Sequence, residues 1–246
     1  MRKYCNIHIH SDDSNVFFLD SPVTKKSYAE RALELGHTIL SSCEHGYAGN
    51  FLRTFDTAQK YGLKFVFAAE LYWVKDRFAE IMVNGKSQKD RTNNHILLIA
   101  KNESGRRQIN RVISEANDTG YHYRPRADID LLLSLNPNDV MVTTACLAFF
   151  GYGFPQSEQI IRRLHEHFGS SLYLEFQPHN AEKQKDVNRF LLSMYRKYRI
   201  NIIAGVDSHF IYPEQATTRL DLQSSTLRKP GVRFRKNAGR LLPKSP

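Results

Sequence analysis

Tyr4-Cys5-Asn6-Ile7-His8, then the stretch 25–35, then Thr38-Ile39-Leu40-Ser41-Ser42: the opening of the chain reads strand, helix, strand, and this reading decides the fold. The flanking runs are short and carry β-branched or aromatic residues. Between them Tyr28, Ala32 and Leu35 recur at i, i+4 and i+7, and Gly36 supplies a stop. Residues 51–61 repeat the helical pattern, with Gly62 after them. Further strand-like runs follow at 64–69, 95–100, 140–145, 172–176 and 201–206. Within 182–198, Val187, Phe190, Leu191, Met194, Tyr195 and Tyr198 fall on one face of a long helix. Seven short strands separated by helices predict an α/β fold with parallel strands covered by helices, as a closed barrel or, alternatively, an open doubly wound sheet.

The 246 residues suit a single α/β barrel. The 41% hydrophobic and 24% charged contents exclude wholesale disorder and fibrous repeats. Apolar runs such as 96–100 fall far short of the roughly 18 residues of a membrane span. Polar residues occupy the N-terminus where a signal peptide would be apolar, so a cytoplasmic protein with no membrane partner is expected. Three cysteines, at 5, 43 and 146, show no C-x-x-C spacing, which excludes a disulfide framework and a zinc ribbon. Neither G-x-G-x-x-G nor a P-loop occurs, so the usual phosphate-cradling loops of α/β chains are missing.

The formal net charge of +10 favours a polyanionic partner, nucleic acid foremost. The excess is uneven: residues 228–246 hold seven Lys or Arg and no acidic residue, leaving +3 for residues 1–227. The expected organisation is a domain over 1–227 and a basic, extended tail over 228–246, where Pro230, Gly231, Gly239, Pro243 and Pro246 discourage regular structure. Residues 78–94, with Asn84-Gly85, read as a turn and a polar surface excursion.

Ten histidines exceed what packing asks of such a chain. His8-Ile9-His10 ends the first strand, and a period of two aims both imidazoles at one face. Alone the pair reads as two surface histidines. However, His45 follows the second strand, Glu70 closes the third, Cys146 follows the fifth, and Asp207-Ser208-His209 follows the seventh. The C-terminal ends of parallel barrel strands share one mouth, and nitrogen, carboxylate and thiolate donors gathered there suit zinc or a similar divalent ion. Glu70 follows Phe65-Val66-Phe67-Ala68-Ala69, where an unpaired carboxylate is costly. Its plainer reading is a buried ion pair with arginine; that of Asp207 is a helix N-cap.

These residues resemble the PHP (polymerase and histidinol phosphatase) domain, most closely the one at the N-terminus of bacterial DNA polymerase III alpha subunits. The resemblance is carried by His8-Ile9-His10-Ser11, Leu19-Asp20, Glu44-His45-Gly46, Ala69-Glu70-Leu71-Tyr72, the run His95 to Asn102, Gly120-Tyr121-His122-Tyr123-Arg124-Pro125-Arg126, Ala145-Cys146-Leu147, Tyr173-Leu174-Glu175-Phe176-Gln177 and Asp207-Ser208-His209. It implies a distorted seven-stranded β/α (TIM-like) barrel. It also implies up to three divalent ions, zinc or manganese first and magnesium or iron as alternatives, on nine ligands: His8, His10, Asp20, His45, Glu70, His95, Cys146, Asp207 and His209. Two of these come from the resemblance alone. His95 begins its run instead of ending it, and Asp20 beside Ser21-Pro22 otherwise reads as a cap or turn residue. Glu44 stands where the family usually has Asp, Ser21 where it usually has Gly, and Ala148-Phe149-Phe150 replaces a small glycine-containing turn.

The ligand set implies phosphoester hydrolysis, in which bound divalent ions acidify a water and offset phosphoryl charge. His179 after the sixth strand suits leaving-group protonation or phosphate binding, or is a surface histidine. Arg124 and Arg126 suit a grip on substrate phosphate, or are solvated loop charges. His37, His122, His165 and His167 receive no role. Three functions are weighed: a 3′-5′ exonuclease acting on DNA, a non-catalytic metal-stabilised module supporting a polymerase or replisome partner, and a phosphatase of small phosphomonoesters. Basicity and the Gly120 to Arg126 motif favour nucleic acid over the third. Polymerase activity is not expected of these residues.

Overall fold

The computed structural model describes residues 4–227. The expected tail over 228–246 lies outside the described residues. In chain order the elements are α1 (Lys25–Glu34), β1 (Ile39–Ser41), α2 (Phe51–Lys60), β2 (Lys64–Val66), β3 (Ala68–Val74), β4 (Glu80–Val83), β5 (Lys86–Lys89), β6 (Asn94–Ala100), α3 (Glu103–Asp118), β7 (Arg126–Asp128), α4 (Ile129–Leu133), β8 (Val140–Thr143), α5 (Phe154–Phe168), β9 (Leu172–Phe176), α6 (Glu182–Tyr198), β10 (Asn201–Ala204) and α7 (Gln215–Leu227).

Local chemistry sets the helix ends. Thr24 Oγ1 accepts from the Ser27 amide, Asn102 Oδ1 from Gly105 and Asp128 Oδ1 from Leu131, so α1, α3 and α4 start on side-chain caps. The expected apolar face of α6 buries Val187, Leu191 and Met194, whereas Tyr195 is exposed. On α1, Tyr28 and Ala32 are buried, but Leu35 is the C-cap and points to solvent. Asn84 and Gly85 both take positive φ and close the β4–β5 hairpin, the polar excursion expected there.

The central sheet has six strands in the order β10-β9-β8-β6-β3-β7, with β1-β2 forming a separate parallel pair. Three expectations change. Residues 4–8 form no strand: Ile9 donates back to Ile7, and the segment is held by the Ile9–Ser208 bridge, the Ser208 amide on the His8 carbonyl, and side-chain bonds such as Ser41 hydroxyl to the Ile7 carbonyl and Asn6 to Ser208. The expected third strand breaks at Phe67 and resumes as β3, so Glu70 lies inside a strand. Finally, the sheet is not all parallel, because β6 runs antiparallel to both β3 and β8.

Strand alternation sorts β3 and β6 into two faces. Ala69, Leu71, Trp73, Ile96 and Leu98 pack with α3 to α6 in the main core. Ala68, Leu97 and Ile99 instead meet Cys43 and Ala145 in a small inner cluster, with Ile7, Val66 and Met141 against it. Glu70, Tyr72 and His95 continue that inner face, since Ala68 pairs with Ile99, Glu70 with Leu97 and Tyr72 with His95. The inner face is therefore apolar at one end and polar at the other. A third cluster seats α1 and α2 against Ile9, Leu40 and Leu63.

Candidate metal centre

All nine residues expected as ligands meet at the polar end of this inner face. Glu70 is central: Oε2 lies 2.7 Å from His45 Nδ1, 3.0 Å from His95 Nδ1 and 3.6 Å from His10 Nε2, and Oε1 lies 3.2 Å from His8 Nε2. Asp207 Oδ1 is 3.2 Å from His10 Nε2 and 3.3 Å from His8 Nε2. His209 Nε2 approaches Asp20 Oδ2 at 2.8 Å and His45 Nε2 at 3.3 Å, while Cys146 Sγ is 3.5 Å from His95 Nδ1. His95 belongs here although it opens its strand, because an antiparallel β6 starts where β3 and β8 deliver their C-terminal halves.

The plainer readings of these residues do not hold. His8 and His10 are buried, Glu70 pairs with imidazoles and no arginine, and α1 is capped by Thr24 rather than Asp20. Asp207 caps no helix: it takes a left-handed φ of 53°, as Ala145 does at 45° beside Cys146. Non-glycine residues in this region carry backbone strain, which proteins retain chiefly at functional positions.

A surrounding layer fixes the rings. His8 Nδ1 donates to Glu175 Oε1 at 2.6 Å, and Glu175 also accepts from Thr143 Oγ1 at 2.6 Å and Gln177 Nε2 at 3.1 Å. The Gly205 backbone passes so close to this carboxylate that a Cβ there would collide with it. His10 Nδ1 contacts Ser14 Oγ at 3.3 Å, and Ser14 donates to Glu44. Glu44 also accepts from the Ser11 amide and hydroxyl and pairs with buried Lys25. His209 Nδ1 donates to the Asp207 carbonyl at 3.0 Å. Asp20 is held by Arg219 at 2.8 Å and by Gln223. One nitrogen of His8, His10 and His209 is thus occupied outside the cluster and the other faces into it, the usual arrangement of metal-binding histidines.

Burial and mutual charge act against each other throughout the cluster. Burial would raise the Glu70 carboxyl, but His95, His8 and His45 hold it well below the ordinary carboxylate range. Asp207 is likewise held low against burial by His8, His209 and His10. Burial would lower His45, yet Asp20 and Glu70 carry it up to about 9. His10 moves the opposite way, pushed down by burial and then by His45 and His209. Burial, then Glu70 and Asp207, push the Cys146 thiol up.

Despite this proximity, His8 Nε2, His10 Nε2, His45 Nδ1, His95 Nε2, both Glu70 oxygens and Asp207 Oδ1 are buried without a hydrogen-bond partner. Each such atom costs about 1–3 kcal/mol when left unsatisfied. A divalent cation would satisfy converging lone pairs together. Among the described residues, three overlapping triads lie within metal-binding reach: His8, His10 and Cys43; His10, His45 and His209; His45, Glu70 and His95. The residues therefore fit a divalent metal centre.

The expected substrate-binding residues fare differently. Arg124 lies over the Tyr72 ring, 4.9 Å from its centroid, and donates to Asn93 Oδ1 at 2.6 Å. Arg126 does not offer a free guanidinium: it is only 3% exposed and donates to the carbonyls of Gly120, Asp90 and Arg77. His179 is exposed and makes no hydrogen bond, ion pair or ring contact among the described residues. Sequence reasoning gave no role to Glu175, Ser14, Cys43, Arg219 or Gln223. Glu175 had a legible signal, a carboxylate in an apolar strand on the same face as Tyr173, whereas the others are visible only in three dimensions.

The PHP domain family model matches residues 6–179. The chain belongs to the PHP domain family. Among curated relatives, the DNA polymerase III alpha subunit of Aquifex aeolicus is 25% identical over 240 residues, covering 93% of this chain and 20% of that protein. The DNA-directed DNA polymerase of Bacillus phage SPbeta is 27% identical over 243 residues, covering 84% of this chain and 18% of that protein. This PHP chain thus spans about a fifth of the length of the curated relatives it matches. An amidohydrolase from Chromobacterium violaceum, solved with bound sulfate and no metal, has the same fold at a TM-score of 0.54 and 13% identity, covering 83% of this chain and 87% of that one. No described helix is long and apolar enough to cross a membrane.

Proposed function

We propose that this PHP chain is a metal-dependent phosphodiesterase that removes nucleotides from DNA 3′ ends. The observation that carries the reading is the convergence of unpartnered buried nitrogen and oxygen atoms from His8, His10, His45, His95, Glu70 and Asp207. The similarity to DNA polymerase III alpha subunits supports DNA as the substrate. The ligands in this reading are His8, His10, Asp20, His45, Glu70, His95, Cys146, Asp207 and His209, holding up to three ions, zinc or manganese. The reading extends to the fold: the segment 4–8, β1, β2 continued as β3, β6, β8, β9 and β10 are taken as the seven strands of a distorted β/α barrel, with the Ile9–Ser208 bridge in its seam.

When bound, a divalent ion supplies Lewis acidity and a hydroxide nucleophile at neutral pH. The residues of the chain do the rest. Glu175 and Ser14 keep His8 and His10 turned inward. Tyr72, packed against the His95 and His45 rings, walls the cluster on one side and carries Arg124 over its ring. Arg124 has guanidinium donors to spare for a phosphate oxygen. Water adds to phosphorus, the bond to the preceding O3′ breaks, and a nucleoside 5′-monophosphate and a new 3′-hydroxyl result. In this reading the chain works in the cytoplasm beside a polymerase or other replisome subunits.

The test is hydrolysis of a 3′-recessed duplex by the purified full chain with manganese or zinc. Wild type should shorten the recessed strand, and Asp207→Asn should do so at least about 100-fold more slowly, since losing even an outer partner of a metal ligand typically costs about 10- to 100-fold. A wild type that keeps its metal but cleaves neither DNA nor p-nitrophenyl phosphate would leave a metal-stabilised module. Cleavage of p-nitrophenyl phosphate alone would point to a small phosphomonoester.

A further inference from the structure

Beyond Tyr72 lies a cavity of about 240 Å³ lined by Tyr72, Arg91, Thr92, Asn93, His122, Tyr123, Arg124 and Arg126, with no carboxylate among the described residues of its wall. Two cation–aromatic pairs shape it. Arg124 covers Tyr72, and Arg91 sits 4.6 Å from the Tyr123 ring centroid while donating to its hydroxyl at 3.1 Å. Tyr123 is 65% exposed and takes a φ of 62°. Holding a bulky aromatic residue in the left-handed region costs stability, and here it turns the chain between His122 and Arg124, which are joined by a backbone bridge. His122 stands beside Tyr123, its Nε2 buried and unpartnered. Burial and then the charges of Arg126, Arg91 and Lys89 keep its imidazole below the ordinary histidine range, in keeping with a positive wall. Arg126 braces that wall from beneath through its three carbonyl bonds. Tyr72 forms the partition between the cavity and the cluster, its ring 5.2 Å from His95.

We propose that this cavity is a subsite for one nucleotide of single-stranded DNA, with Arg124 on a phosphate and the Arg91–Tyr123 pair stacking a base. The inference rests on the phosphodiesterase reading and names how the strand approaches the cluster. An exposed aromatic ring beside an arginine, on a positive wall free of carboxylates, is the chemistry by which proteins grip unpaired strands, because every base offers a π-face. A small phosphomonoester would use the arginines but has no need of the exposed ring.

Binding of fluorescein-labelled oligothymidylate, measured by anisotropy on the full chain, tests this independently of hydrolysis. Tyr123→Ala and Arg91→Gln should each weaken binding at least about fivefold, the lower end of the loss for one stacked base. Arg107→Ala, which removes an exposed charge on α3, should change it less than twofold. Tyr123→Gly guards against misfolding, since glycine accepts the left-handed φ without strain, and should weaken binding equally. Unchanged affinity in the Tyr123 and Arg91 variants, no binding by wild type, or tighter binding of a duplex of the same length would overturn the subsite. Tight, Tyr123-dependent binding without cleavage would sink the phosphodiesterase reading and leave the subsite standing.

Discussion

His8 donates from Nδ1 to Glu175 Oε1 at 2.6 Å, and that bond turns Nε2 of the same ring toward Glu70 and Asp207. Glu175 is thus a positioning residue. Glu175→Ala should lower metal affinity about 10- to 100-fold, the usual cost of losing such an orienting partner. Glu175→Gln, which keeps an acceptor oxygen, should recover part of it. Competition with a chromogenic chelator reads the difference, and equal affinities across all three proteins would contradict the role.

Lys25 and Glu44 form a buried pair beneath Ser11 and Ser14. Removing one partner of a buried pair leaves an uncompensated charge and typically costs about 3–5 kcal/mol. Glu44→Ala should therefore unfold at lower denaturant concentration by that margin, while the Lys25→Met, Glu44→Leu double variant should recover much of the loss. A surface-like change below about 1 kcal/mol in Glu44→Ala would show that the pair is not buried as described.

Asp90 accepts from the Thr92 amide at 2.8 Å, the Thr92 hydroxyl at 2.6 Å and the Tyr152 hydroxyl. Burial would raise its carboxyl, but these bonds and the Arg126 charge hold it below its ordinary value. A carboxyl depressed on folding stabilises above its unfolded pKa and loses that contribution as pH falls through the folded value. The melting temperature of wild type should therefore fall more steeply below about pH 4 than that of Asp90→Asn. Parallel acid limbs would contradict it.

The seven Lys and Arg of residues 228–246 lie outside the described residues, yet they hold most of the net charge. Deleting 228–246 should weaken DNA binding and flatten its dependence on salt, with the slope falling by about 0.7 to 0.9 for every phosphate that is no longer neutralised. Unchanged slopes would show that the tail does not engage DNA.

Sequence reading recovered α1, α2 and α6 almost to the residue because helical periodicity and terminal glycines are local signals. It placed β9 because a short apolar and aromatic run is also a local signal. Strand direction is not local: β6 alternates as well antiparallel as parallel, so His95 was legible only through the family resemblance. The 4–8 run looks like a strand, but it meets its neighbours through side chains and single backbone bonds, without a strand ladder. Asp20 becomes a member of the cluster through tertiary contacts that no local pattern shows: Asn15 holds its amide, and Arg219 and Gln223, about 200 residues later, reach back to its carboxylate. Arg126 misled for the opposite reason, since its charge suggested solvent or phosphate and the fold directs it to three carbonyls.

The central claim is that the cluster around Glu70 holds divalent metal. The most direct measurement is the metal content of the full chain by inductively coupled plasma mass spectrometry, after purification from metal-replete medium and desalting. Wild type should retain at least about one zinc or manganese ion per chain and Glu70→Gln should retain a small fraction of it, since the carboxylate at the centre of the donor set would be gone. A wild type without bound metal, or a Glu70→Gln protein that binds as much as wild type, would contradict it.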